Sequence, residues 1–137
     1  MFNSIEQWVD YIDGVCEVLC LDFNIFKKEL VLKIKITDQG NVFEHQVVFK
    51  NIASLYFNGG EGISRFEKIA PEEINWQIFE FSYHPDGIGH FGNNLLKEYN
   101  TNANFIICIN SLLIAVEAYN VSFDLEEFIL RGRGEGS

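Results

Sequence analysis

The sequence predicts a mainly β fold, an antiparallel β-sandwich or roll carrying one N-terminal amphipathic helix. Three observations lead there. Apolar residues recur at a period of two along most of the chain, short segments of this kind are separated by turn-forming residues, and only residues 4–13 carry a helical period. Segments that alternated with helices of crossover length would instead have implied a parallel sheet.

The helix comes first. Ser4 followed by Gln7 fits a capping box, Ile5, Trp8, Val9 and Ile12 share one face, and Gly14 supplies a stop. From Val15 the period becomes two. Val15, Glu17, Leu19 and Leu21 face one way, and Cys16, Val18 and Cys20 the other. Leu30, Leu32, Ile34 and Ile36 then alternate with Val31, Lys33, Lys35 and Thr37, and the turn Asp38-Gln39-Gly40-Asn41 leads into Phe43, His45, Val47 and Phe49. That is a hairpin.

Ile52 to Phe57 reads as a further strand, ended by Asn58-Gly59-Gly60, and the acidic stretch to Pro71-Glu72-Glu73 reads as an irregular connection. Residues 74–84 alternate in two phases, with Trp76 and Ile78 on one face and Phe79, Phe81 and Tyr83 on the other, which points to a bulge or to a strand apolar on both sides. After the loop from Pro85 to Asn94, the segments 105–109, 112–118 and 119–123 are strongly β-prone, with turns or kinks expected at Asn110-Ser111 and near Ala118 to Asn120. The expected organisation is a single β-rich domain over residues 1–130 and a disordered tail over 131–137.

A net charge of −10 argues against nucleic acid, whose phosphates are neutralised by Lys and Arg, and against anionic membranes. The acidic N-terminus and the absence of a long apolar run give an expected cytoplasmic location. Cys16, Cys20 and Cys108 are read as buried free thiols.

No complete catalytic constellation is visible, so the protein is expected not to be an enzyme and to need neither metal nor cofactor. Gly87-Ile88-Gly89-His90-Phe91-Gly92 satisfies G-x-G-x-x-G, but Pro85-Asp86 breaks the preceding strand and no acid lies at the ribose-binding distance. Those glycines are read as serving an exposed, mobile loop. His84, Asp86 and His90 are too few ligands for a metal held by a loop alone. His45 falls on the apolar phase of its strand and is read as a hydrogen-bonded core or edge histidine. Cys108 sits between Ile107 and Ile109, surroundings that disfavour a thiolate.

The charge is uneven. Residues 1–26 and 98–130 each hold five acids and no Lys or Arg, whereas residues 27–97 carry eight basic and nine acidic side chains. If the two ends lie side by side, Glu6, Asp10 and Asp13 of the helix and Asp124, Glu126 and Glu127 of the C-terminal segment make one anionic face for a basic protein partner.

Across residues 15–124, the stretches VCEVLCLDFNIFKKELVLKIKI, HQVVFKNIASLYFN and FIICINSLLIAVEAYNVSF resemble small bacterial immunity-type proteins associated with polymorphic toxins. The resemblance implies a β-rich domain that neutralises a cognate toxin by direct binding, without catalysis. The alternative is a small-molecule or carbohydrate-binding β-domain that uses Trp76, Tyr83 and Phe91 near an open end.

Overall fold

A computed structural model describes residues 2–14, 16–60, 66, 76–88 and 102–130. Helix α1 (Ile5–Ile12) is followed by strands β1 (Cys16–Asn24), β2 (Glu29–Asp38), β3 (Asn41–Asn58), β4 (Gln77–Tyr83), β5 (Phe105–Ile109), β6 (Leu112–Phe123) and β7 (Glu126–Ile129). All pairings are antiparallel, in the order β3-β2-β1-β4-β5-β6-β7. A further pairing of β3 with β6 joins the two sides. Among the described residues, mainly β with one N-terminal helix therefore holds. The sheet, however, closes on itself as a six-stranded barrel, with β7 appended to β6.

Closure depends on the length of β3 and on a bend in it. The first half pairs with β2 from Asn41↔Asp38 to Phe49↔Leu30, and the second half pairs with β6 from Val47↔Phe123 to Asn58↔Leu113. The two halves were expected as separate strands; they are one, bent where Asn51 takes a φ of +53° and the register slips between Ile52 and Ser54. An unpaired extra residue bends a strand and sharpens its twist, and barrels need such corners. Likewise 112–118 and 119–123 form a single strand, β6, and β7 extends it through a hairpin at Asp124-Leu125 that the sequence reading did not contain.

The β2–β3 turn matches expectation, with Gln39 at φ +50° and Gly40 at φ +82°, the two positive values that suit a tight two-residue hairpin. The bulge expected in 74–84 lies between Ile78 and Glu80, which turns Phe79 outward. A second bulge, between Val18 and Cys20, breaks the simple alternation predicted for β1. Cys16 is buried, Cys20 is exposed and Cys108 is intermediate, so the expectation of three buried thiols holds only for Cys16.

Six strands leave a narrow interior, and side chains fill it. Phe49 and Phe105 meet edge to face at 5.0 Å, with Phe81 5.9 Å from Phe105 and Tyr83 5.0 Å from it. Leu30, Leu32, Ile34 and Ile36 of β2 line the same core. Residues 105–109 read as a continuous apolar run because both faces are covered: Phe105, Ile107 and Ile109 join the main core, and Ile106 packs outside with Ile88, Ala103, Leu113 and Ala115.

Among the described residues, no helix is long and apolar enough to cross a membrane.

Candidate binding surface

The helix is fastened to the barrel by its aromatic side. Ser4 caps it by accepting the Gln7 N–H at 3.2 Å, and Gln7 Oε1 returns a bond to the Asn3 N–H at 2.9 Å, one residue earlier than a standard capping box. Trp8, Val9 and Ile12 are buried. Trp8 stacks on Phe123 at 5.2 Å, with 8° between the ring planes, and donates its indole N–H to Glu126 Oε1 at 3.1 Å.

A second attachment runs through His45. Its Nδ1 lies 2.8 Å from Asp124 Oδ2, and its Nε2 lies 2.9 Å from the Tyr11 hydroxyl. An ionised carboxylate only accepts, so Nδ1 carries the proton and, in the neutral ring, Nε2 accepts from Tyr11. Asp124 Oδ1 also accepts the Gln46 N–H at 2.9 Å. This is the hydrogen-bonded edge histidine that its strand phase suggested. A Tyr–His–Asp relay has the outline of an activated nucleophile, but its electrostatics run the other way. Burial, followed by the charges of Asp38 and Asp124, pushes the Tyr11 phenol above its ordinary range and holds its proton in place.

The predicted acids divide by what they already bind. Glu6 and Asp10 are exposed on α1, one turn apart and away from its buried side. Asp13, also exposed, accepts the Phe81 N–H of β4 at 2.9 Å. Asp124 holds His45, and Glu126 holds Trp8. Glu127 pairs with Lys50 at 2.7 Å and accepts from Asn120 at 3.3 Å. Asp124 and Glu126 thus sit against the helix, Glu127 faces β3, and Asp13 points to β4.

The other candidates carry less. Gly87 has a φ of +83° and donates to the His84 carbonyl, while Ile88 is buried and donates to the Ala103 carbonyl, so the start of that loop is stitched down rather than exposed. The rest of the glycine motif and His90 lie outside the described residues, as do Glu72, Glu73, Phe91 and the tail 131–137. His84 shares a 2.9 Å bond with Ser82, and burial lowers its pKa against an opposing push from Glu80. Burial raises the Cys108 thiol, and Glu80 adds to it. Among the described residues no three His, Cys, Asp or Glu side chains converge on a metal-sized site.

An apolar cleft of about 240 Å³ opens where β1 leaves β4, lined by Val18, Leu19, Cys20, Leu21, Trp76, Ile109 and Leu112. Trp76, expected near the open end of the fold, lines this cleft between strands. Tyr83 instead packs on Phe105.

Sequence reasoning missed the asparagines. Asn104 is buried, and its carboxamide bonds both polar backbone groups of Ala118, at 2.9 and 3.1 Å. Along that edge of β6, the side chain bridges the gap between β5 and β7. A polar residue beside a strongly apolar strand was the available signal.

Comparison with known proteins identifies the group to which this barrel belongs. The model of a family described as YxiG-like protein matches residues 5–128, a span from the first residue of α1 to the penultimate residue of β7. The protein YxiG of Bacillus subtilis (strain 168) is 52% identical over 128 residues, covering 93% of each chain. With the helix, the barrel and all but the last residue of β7 inside the matched span, the chain belongs to the YxiG-like family.

Proposed function

We propose that the protein is a non-catalytic binding protein that takes a basic protein partner, and that the partner is a bacterial toxin domain neutralised by direct binding. The observation that carries this reading is the pair of attachments Trp8–Glu126 and Tyr11–His45–Asp124, which hold the acidic N-terminal helix against the acidic β6–β7 turn. Clustered charge of one sign steers a partner of the other sign and speeds its capture. The toxin assignment rests on the sequence resemblance alone.

A filled barrel supports binding on the outside of the molecule. The cleft beside Trp76 favours the alternative of a small apolar ligand, but at about 240 Å³ it falls below the roughly 300–1,000 Å³ usual for such sites.

Association kinetics with basic toxin domains encoded near the gene test the proposal. Glu6→Lys combined with Asp10→Lys reverses two exposed charges without touching a structural bond. It should lower the association rate roughly tenfold at low salt, with the difference shrinking as salt is added. Reversing Asp22 and Glu29 should do much less. Equal effects from the two sets, or no binding to any such domain, would reject the reading.

A further inference from the structure

The sequence contains one Asn-Gly pair, Asn58-Gly59, at the end of β3. Gly59 has no Cβ, so its peptide nitrogen meets no side-chain obstruction on approach to the carboxamide carbon of Asn58. Both residues are half-buried, within reach of water. The fold adds two contacts to that carboxamide. Asn58 Oδ1 accepts the Gly60 N–H at 2.9 Å, and Nδ2 donates to the Tyr56 hydroxyl at 3.0 Å. The ring closed by the Gly60 bond contains the Gly59 nitrogen, so nucleophile and target carbon are held on one closed loop. Other carboxamides are committed elsewhere. Asn110, which precedes Ser111, accepts the Gln77 N–H of β4 at 2.9 Å, and Asn104 holds Ala118.

We propose that Asn58 is a self-modification site, which the fold drives through a cyclic imide to an aspartyl or isoaspartyl product. Hydroxide takes the Gly59 amide proton and the nitrogen attacks the Asn58 side-chain carbon. The tetrahedral intermediate carries its negative charge on Oδ1, which faces the Gly60 N–H. Preorganised donors gain strength as such charge develops. Nδ2 is no longer conjugated and gains a lone pair. The Tyr56 hydroxyl turns its proton onto it, and the C–N bond breaks with loss of ammonia. Water returns a proton to Tyr56, which regenerates hydroxide, and a further water opens the imide at either carbonyl.

The same two bonds also hold the starting amide, and charge decides which state they favour. An oxyanion accepts a hydrogen bond more strongly than a neutral carbonyl, so the Gly60 contact stabilises the intermediate over the amide. Opening of the imide adds a negative charge. Opening on the backbone side also adds a backbone carbon at the last pair of the closing seam, Asn58↔Leu113. The site is separate from the acidic surface proposed above and does not depend on it.

Ageing of the full chain at mildly alkaline pH, followed by peptide mapping with mass spectrometry, tests the proposal. The Asn58 peptide should gain the mass that replaces NH2 by OH roughly tenfold faster in the folded chain than in urea. The Asn110 peptide should show no such acceleration. Tyr56→Phe should slow the reaction of the folded chain roughly tenfold and leave the rate in urea unchanged. Unchanged circular dichroism verifies that the variant folds. A reaction at Asn58 that is no faster in the folded chain than in urea overturns the proposal, as does a folded Tyr56→Phe variant that reacts at the wild-type rate.

Discussion

Single side chains in this protein replace pieces of backbone. Asn104 satisfies both the N–H and the carbonyl of Ala118, and no other residue type offers a donor and an acceptor in that geometry at that reach except glutamine, whose extra methylene would have to be accommodated. Asn104→Ala should lower stability by about 2–4 kcal/mol, because it leaves two buried backbone groups unpaired. Chemical denaturation measures this, and a change below about 0.5 kcal/mol would mean that water replaces the amide. Cys16 offers a test by pH. Burial pushes its thiol from an ordinary value of 9.0 up to about 11, so the protonated form is favoured in the folded state. Its contribution to stability is complete below about pH 9 and is lost as the pH rises through about 11. Tyr11 and Tyr83 are raised too and act in the same direction at high pH. The difference between the wild type and Cys16→Ala therefore isolates the thiol. That difference should shrink between pH 9 and 11; a constant difference would contradict the assignment.

Helix α1 shows how legible a local element is. Its cap, its period and its stop all lie within ten residues of sequence, and they describe the helix that forms from Ile5 to Ile12. What holds it in place was not legible, since Phe123, Glu126, His45 and Asp124 are distant in sequence and nothing local marks them as its neighbours. The same holds for the strands. The β2–β3 turn was readable from Gln39-Gly40, whereas the bulge at Leu19 and the exposure of both faces of β1 beyond Val18, which leaves Cys20 exposed against expectation, were not. The helix attachments separate into a polar and an apolar part. Trp8→Phe keeps the stack on Phe123 but removes the bond to Glu126, and should cost about 1 kcal/mol. Trp8→Ala removes both and should cost about 3–5 kcal/mol in the same denaturation experiment. Similar small losses from both would show that the helix contributes little to the folded barrel.

At the scale of the molecule, the closing seam between β3 and β6 is the feature that a reading of alternation could not supply. The pattern identified most of the strands and their antiparallel character, but a sandwich and a barrel share the same alternation and differ only in which edges meet. Here Val47 meets Phe123 and Asn58 meets Leu113, pairs more than fifty residues apart, and this seam makes one closed layer of six strands. The charge asymmetry was legible in the chain, while the approach of the helix to the β6–β7 turn depends on the same closure, because β6 delivers Asp124 to the His45 of β3. Distant pairing also has a kinetic consequence. Chain ends must be brought together before the contacts that reward their meeting can form, so the entropy of loop closure slows the search. Refolding followed by stopped-flow tryptophan fluorescence should therefore take milliseconds to seconds, in the range of all-β domains rather than the microseconds of helical bundles. Substitutions that weaken the seam, such as Phe123→Leu, should slow folding if closure is part of the rate-limiting step, and should instead speed unfolding if the seam forms afterwards. A submillisecond refolding phase carrying the full fluorescence change would show that the barrel does not depend on its distant pairing to fold.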